Sequence, residues 1–415
     1  FADTGGFTDH VFAACALRYE QPPFPVVEKT LEEIGPSGET NTAYHLVASQ
    51  LAIKLNRMAD VESHLRAAVR LDPTNRQHQL NLATVELQSR DANTAAMGRS
   101  KLVALVPDPV HGATALRSLT ADCLNRRDLA GAQDYSSRLQ ALPQATLEDR
   151  LLHMTALSDA GNPDLTKFLA RVQLDSVTNS VMLAQIVAWM NSHKLAKEAL
   201  DWTSRMSATN RNALPLPIAE AECYMTLSNW PGLQERLANC RWDEQEFLRL
   251  ALLARALREQ GERENAWRNW RQAVSAAVSR PELTMALLRT AHAWGWVEES
   301  HELLWAASKR FPSDDWPLTA LMQDYSSRND TEGIYRVFQA FLEKKPQSIE
   351  LKNNVAALGL LLGRDTTRST ELARQVYDAG KTNATFVSTY AFALHTQGKS
   401  VEALKLMQAF PKADL

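Results

Sequence analysis

The segment His301–Trp305 comes nearest to a catalytic pattern in this chain of 415 residues. A zinc helix of the HExxH kind needs a second histidine where Trp305 stands, and one histidine cannot form that site. Gly398-Lys399-Ser400 matches the end of a phosphate-binding loop, but Ala393 replaces the earlier glycine and a helix, not a strand, precedes it. The sequence therefore predicts no catalytic, metal-binding or cofactor-binding residues, and no enzymatic activity.

Four potentially basic side chains remain as candidates for a binding role. Arg255 and Arg258 are each followed, 34 residues later, by a second basic group, Arg289 and His292. If a 34-residue repeat underlies this spacing, the four lie side by side on the first helices of successive pairs and form a patch in a groove. Arginine presents a planar fork that matches carboxylates, so an acidic or C-terminal peptide segment is the predicted ligand. The alternative is that these are solvated residues, facing outward or paired with acidic neighbours such as Glu259.

Bulk composition excludes several classes of protein. The chain is 45% hydrophobic and 22% charged, as ordinary globular proteins are, and it has few turn residues for its length (16 Gly, 17 Pro). A formal net charge of −3 gives no general attraction to nucleic acid or to an anionic membrane. The longest apolar run is much shorter than the roughly 20 residues of a membrane span. The cysteines are too scattered for a disulfide framework or a zinc site, and we expect them to be buried: Cys15, Cys123, Cys223 and Cys240.

Prolines and small residues mark a repeat. Pro73 and Pro107 are 34 residues apart, as are Pro312 and Pro346, and each follows an amphipathic segment that a proline would end. Small residues recur at a spacing of 12 and then 7, which would let two antiparallel helices approach closely: Ala254, Ala266 and Ala273; Ser49, Val61 and Ala68; Ala83 and Ala95; Ala391 and Ala403. Tight turns with a central glycine lie between the paired segments, at Gly261, Gly295 and Gly398.

The segments LARALREQGERENAWRNWRQAVS (253–275) and YAFALHTQGKSVEALKLMQAFP (390–411) resemble the tetratricopeptide repeat. The resemblance implies an all-α fold without a sheet, a right-handed superhelical solenoid of about eleven antiparallel helix pairs. The subgroup of this family that binds C-terminal carboxylates carries Lys and Asn at set places on successive first helices. That set is not found in this chain.

The strength of the repeat signal divides the chain into four parts. Residues 1–39 are expected to form an N-terminal helical cap with helices Thr8–Glu20 and Val26–Ile34. Residues 40–110 and 247–415 read as tetratricopeptide-like repeats. Residues 111–246 read as degenerate helical pairs, near 112–142, 146–174, 178–207 and 214–239.

All ten tryptophans fall between residues 189 and 316. Such clustering could form an aromatic recognition surface. Trp267 and Trp270, however, lie three residues apart on one helix face, as core residues do. We therefore expect most of the tryptophans to pack between helices and one or two to open onto the groove.

The resemblance points to a non-catalytic scaffold that binds a protein or peptide, not nucleic acid, in its concave groove. Two alternatives stay open: a regulatory or substrate-recruiting arm of a larger enzyme or sensor, and a structural subunit that stacks on copies of itself as a homo-oligomer. Because the chain begins at Phe1 and ends at Leu415, we expect a fragment or processed product. The resemblance suggests a bacterial protein, and the sequence leaves its location open between the cytoplasm and a periplasmic face with a lost anchor.

Overall fold

The computed structural model describes Leu17, residues 24–238 and residues 240–409. The predicted helix Thr8–Glu20 lies outside the described residues except for Leu17, and Cys15 lies outside them too. The second predicted N-terminal helix is Pro25–Ile34 (α1). It begins at a proline because the first helical position needs no N–H donor. A 3₁₀ helix, Gly35–Thr40, leads from it into the first helix pair.

The chain forms two compact units, Phe1–Thr226 and Leu227–Leu415. In the first unit, α1 precedes five helix pairs, a short helix (α12) and one further long helix (α13). The helices after α1 are α2 Thr42–Lys54, α3 Met58–Leu71, α4 Arg76–Leu87, α5 Ala92–Leu105, α6 Gly112–Asn125, α7 Leu129–Gln140, α8 Leu147–Asp159, α9 Asp164–Ser176, α10 Ser180–Ser192, α11 Ala196–Thr203, α12 Ala208–Asn212 and α13 Leu216–Thr226.

The second unit opens with α14 and continues with five helix pairs. Its helices are α14 Trp230–Ala238, α15 Glu246–Glu259, α16 Arg263–Ala277, α17 Pro281–Ala293, α18 Val297–Arg310, α19 Trp316–Ser327, α20 Thr331–Lys344, α21 Ile349–Leu361, α22 Thr366–Ala379, α23 Ala384–Thr396 and α24 Ser400–Gln408. Within the two units the described residues hold ten helix pairs in addition to α13 and α14, and they hold no strand.

The prolines and small residues that predicted the helix pairs lie where the prediction requires them. Each of the four marker prolines stands two residues after the end of a second helix, and these helices are α3, α5, α18 and α20. Ala254, Ala266 and Ala273 are buried, at 0%, 5% and 0% exposure, so α15 and α16 meet through small side chains. The fold is therefore an all-helical repeat of the tetratricopeptide-like kind.

The turn inside most of the pairs contains a residue with left-handed backbone. Gly261 and Gly295 have φ of 84° and 69°, a conformation that glycine adopts without steric cost. From residue 127 to residue 398 such positions recur every 33 to 35 residues: Arg127, Gly161, Lys194, Ser228, Gly261, Gly295, Asn329, Gly363 and Gly398. The repeat is thus continuous through the part of the sequence that reads as degenerate.

Inter-repeat ion pairs add to the apolar packing, and one of them is deeply buried. The side chain of Asp149, at the start of α8, is 1% exposed. Arg117 of α6 donates to it through Nε at 2.5 Å and through Nη2 at 2.8 Å, and the amide of Thr146 donates at 2.9 Å. Burial alone would raise the pKa of Asp149, but these hydrogen bonds outweigh it and leave the pKa below its ordinary value.

We expect Asp149→Asn to lower the stability of the first unit at neutral pH by about 1.5–3 kcal/mol, the usual range for hydrogen bonds to a charged group. Because the folded-state pKa is depressed, the carboxylate stabilises the fold above the unfolded pKa of about 3.9, and this is lost as the pH falls through the lower folded value. Urea unfolding at pH 7 and pH 3 should therefore show a difference between variant and wild type that shrinks in acid.

Asp134→Asn is the matched control, because that carboxylate is 64% exposed in its ion pair with Arg138. We expect it to change the stability by less than about 0.5 kcal/mol. An Asp149→Asn variant as stable as this control at pH 7 would contradict the assigned role of the Arg117–Asp149 pair.

Candidate peptide-binding face

The four predicted basic residues lie on α15 and α17, the first helices of two successive pairs in the second unit. Ala254 and Leu257 are buried, and Arg255 and Arg258 each follow one of them by a single residue on α15, which turns each side chain by about 100° from that buried neighbour. Arg258, Arg289 and His292 are exposed, and Arg255 is half-buried. We refer to these four residues on α15 and α17 as the basic face.

Arg255 is held by aromatic rings rather than by acids. Its guanidinium carbon lies 4.8 Å from the ring centroid of Trp294 and 5.7 Å from that of Trp230. Its Nε is buried without a hydrogen-bond partner, and no described residue forms an ion pair with it. Burial lowers the pKa of Arg255, against an opposing effect of Glu259, yet a guanidinium stays charged in proteins. Arg255 is thus a partly desolvated cation without a counter-ion among the described residues.

Arg258 differs, because the chain supplies its counter-ion. Its guanidinium lies 4.7 Å from the ring centroid of Trp296, and Nη1 donates to Oε1 of Glu299 at 2.5 Å. Glu299 is 8% exposed and belongs to α18, the second helix of the next pair. The charge of Arg258 is therefore largely used within the fold, where it ties α15 to α18.

Arg289 and His292 are exposed on α17, and neither side chain forms an ion pair or hydrogen bond with a described residue. His292 also lines a cavity of about 460 Å³ whose wall includes His301 and Asp324. Burial would raise the pKa of Asp324, but contacts with His301 at 2.6 Å and Arg328 at 2.8 Å hold it below its ordinary value. The charges on that wall are thus paired, whereas Arg289 and His292 remain available to a ligand.

A contact between Arg255 and the Trp294 ring connects α15 with the end of α17. Trp294, which Arg255 contacts, follows His292 by two residues and flanks the turn glycine Gly295. The basic face therefore contains one half-buried cation without a partner, two exposed groups and one arginine whose charge is used internally. Sequence reasoning did not identify Trp230 and Trp294 as neighbours of Arg255. The position of Trp294 at the turn after α17, next to Gly295, is the available signal.

Four of the ten tryptophans are buried, and the other six are only partly buried. Trp242 and Trp270 are each 1% exposed, and Trp189 and Trp296 are 8% and 7% exposed. The partly exposed tryptophans include four that an arginine covers: Trp230, Trp267, Trp294 and Trp305. In the second unit, arginine and tryptophan thus form a recurring surface pair.

Other kinds of site are not seen in the part of the chain that the structure describes. No group of three or more His, Cys, Asp or Glu residues there could hold a metal ion, and no helix there is long and apolar enough to cross a membrane. Cys123 and Cys223 are buried as expected, whereas Cys240 is only partly buried. The expectation of burial is therefore wrong for Cys240. Burial raises the pKa of the Cys123 and Cys223 thiols to about 11 and about 12, which makes these two unreactive.

No family model matches this chain, and no curated protein matches it. Among solved structures it is similar to Naa15/Naa10 bound to HypK-THB, with 14% identity over 97% of this chain and 62% of that chain and a TM-score of 0.39. It therefore spans less than two thirds of that chain. For the P58(IPK) TPR domain the identity is 13% over 90% and 94% of the two chains (TM-score 0.24). For Cut9–Hcn1 of the APC/C it is 10% over 97% and 83% (TM-score 0.28).

Proposed function

We propose that this chain is a non-catalytic protein-binding scaffold whose second unit binds an acidic segment of a partner protein on the basic face. The observation that carries the proposal is Arg255, a half-buried cation with no ionic partner among the described residues. A cation that the fold leaves without an ion-pair partner is costly to keep partly out of water. An acidic ligand would supply the missing compensation.

The neighbouring charges support the same ligand. Arg289 and His292 are exposed, and no acid of the described chain neutralises them. Positive potential at such a face attracts an acidic segment over a distance of about a Debye length, roughly 8–10 Å in physiological salt. Arg258 contributes less because Glu299 already binds it.

We expect Arg289→Glu to slow the association of a fluorescein-labelled peptide of ten glutamates by on the order of tenfold at low salt, because reversing a rim charge acts mainly on the association rate. The difference should shrink as the ionic strength rises. Stopped-flow anisotropy on the full chain measures both. Folding should be unaffected, since Arg289 is exposed and unpaired within the described chain.

Arg310→Glu is the matched control for this experiment. Arg310 is an exposed arginine at the end of α18, without an ion pair among the described residues. It changes the net charge by the same amount away from the basic face, so we expect an effect smaller than about twofold. Equal effects of the two reversals, or no saturable binding of the peptide, would refute the proposed face.

A further inference from the structure

Arg255 belongs to a set of arginines in the second unit that cover tryptophan rings. Two other members show how such a pair is completed. Arg258 over Trp296 receives the carboxylate of Glu299 at 2.5 Å. Arg271 over Trp267 receives the carboxylate of Glu302 at 3.2 Å. In both, an indole covers the guanidinium and a carboxylate accepts from one of its N–H groups.

The guanidinium of Arg255 contacts two indole rings, those of Trp294 and Trp230. No carboxylate of a described residue accepts a hydrogen bond from it. Arg336 over Trp305 also has no acid partner, but its side chain is exposed and water can satisfy it. Arg255 is half-buried, and its Nε is cut off from solvent without a partner. Buried donors without a partner are rare in native proteins, and they tend to occur where the protein binds a ligand or an ion.

The donors of Arg255 that remain accessible are its terminal nitrogens. Neither Nη1 nor Nη2 is among the buried atoms without a partner, whereas Nε is. Since Arg255 makes no hydrogen bond to a described residue, both terminal nitrogens reach solvent. Two parallel N–H groups on one edge match the two oxygens of a carboxylate.

We propose that Arg255, Trp230 and Trp294 form a binding site for a single carboxylate, which the terminal nitrogens of Arg255 hold while the two indoles exclude water. This site rests on the proposed function in one respect: the carboxylate belongs to the acidic segment that the basic face binds. A carboxylate is favoured over a phosphate dianion because the chain completes its own two examples with carboxylates, and because Glu259 already acts on Arg255 as a negative charge. Arg255 is thus the residue that fixes the ligand, and Arg289 and His292 attract it.

The test titrates sodium acetate into the full chain at constant ionic strength, with arginine side chains labelled by nitrogen-15. The Nε–H signal of Arg255 is identified by its loss in Arg255→Lys. We expect it to shift saturably, with half-saturation in the millimolar range or above, as befits one small charged contact. In Trp294→Leu, half-saturation should need about fivefold more acetate, the equivalent of one cation–π contact.

Arg258 provides the control and a second test within the same molecule. Its signal should respond much less to acetate in the wild-type chain than that of Arg255, because Glu299 already accepts from Nη1 of Arg258. Glu299→Gln keeps the shape of that side chain and removes the charge, and we expect it to make the Arg258 signal respond to acetate. This gain of response would show directly that an internal carboxylate and an external one are equivalent at such a pair.

Three outcomes would overturn the site: no saturable shift of Arg255, an equal shift of Arg258 in the wild-type chain, or a stronger response of Arg255 to inorganic phosphate than to acetate. The last would assign the site to a phosphoryl group. If the glutamate peptide associates in a charge-dependent way but acetate gives no response, the carboxylate site at Arg255 is refuted and the proposed binding of an acidic segment stands. If acetate gives a response but Arg289→Glu has no effect, the carboxylate site stands and the proposed binding of an acidic segment on the basic face is refuted.

Discussion

Trp270→Ala should lower the free energy of unfolding of the second unit by about 3–5 kcal/mol, the usual cost of removing a buried tryptophan. Trp270 on α16 is 1% exposed and belongs to the core of this unit, together with Phe247 and Leu303. It meets Trp296 edge to face, with 5.6 Å between the ring centroids. Because Trp296 is the ring under Arg258, the loss should also loosen that end of the basic face.

Trp267→Ala is the matched control, one turn earlier on the same helix. Trp267 is only partly buried, and Arg271 covers its ring at 5.3 Å. We expect its removal to cost at most about 1–2 kcal/mol, from one cation–π contact and partial burial. Hydrogen exchange of the α15–α18 amides, measured by mass spectrometry, reports the stability of this unit separately from the first. Equal losses for the two variants would contradict the division into a core and a surface tryptophan.

The regular part of the fold follows from local signals in the sequence. Prolines end second helices, alanines face one another within pairs, and glycines such as Gly261 supply left-handed turns. The middle of the chain looks degenerate because other residues occupy those turns, among them Arg127, Lys194 and Ser228. A left-handed backbone costs a non-glycine residue about 1–2 kcal/mol, and the packing of the flanking helices imposes it there. The turn is preserved although its sequence signal is lost.

The sequence predicted which helices carry the candidate site residues, but not which side chains those residues contact. A spacing of 34 residues places Arg255 and Arg289 on successive first helices. It cannot show that Glu299, 41 residues after Arg258, reaches back to bind that arginine, because this depends on the rotation of α18 about its axis. The contact of Arg255 with Trp294, 39 residues later, depends on the path of a turn. Spacing therefore predicted four equivalent basic groups, whereas side-chain packing makes Arg255 and Arg258 different.

Close helix approach in the first unit is tested by Gly98→Ala. The sequence pattern placed the small contact residue of this pair at Ala95, which is only half-buried, whereas Gly98, one turn later on α5, is buried. A Cβ at Gly98 would lie 2.6 Å from the amide nitrogen of Leu87 and 2.7 Å from the carbonyl oxygen of Ala83. Both atoms are backbone of α4, so neither can move aside as a flexible side chain could.

Replacing glycine with alanine inside a helix normally stabilises it by about 1 kcal/mol. At Gly98 we expect the opposite sign, a net loss of about 1–3 kcal/mol, because α4 and α5 must separate to admit the methyl group. Hydrogen exchange of the α4 and α5 amides should therefore accelerate. Ser100→Ala, at an exposed position of the same helix, adds helix propensity without a steric conflict and should slow exchange slightly or leave it unchanged. A Gly98→Ala chain that exchanges as slowly as the Ser100→Ala control would show that the two helices can separate without cost, and that their backbones do not set the spacing of this pair.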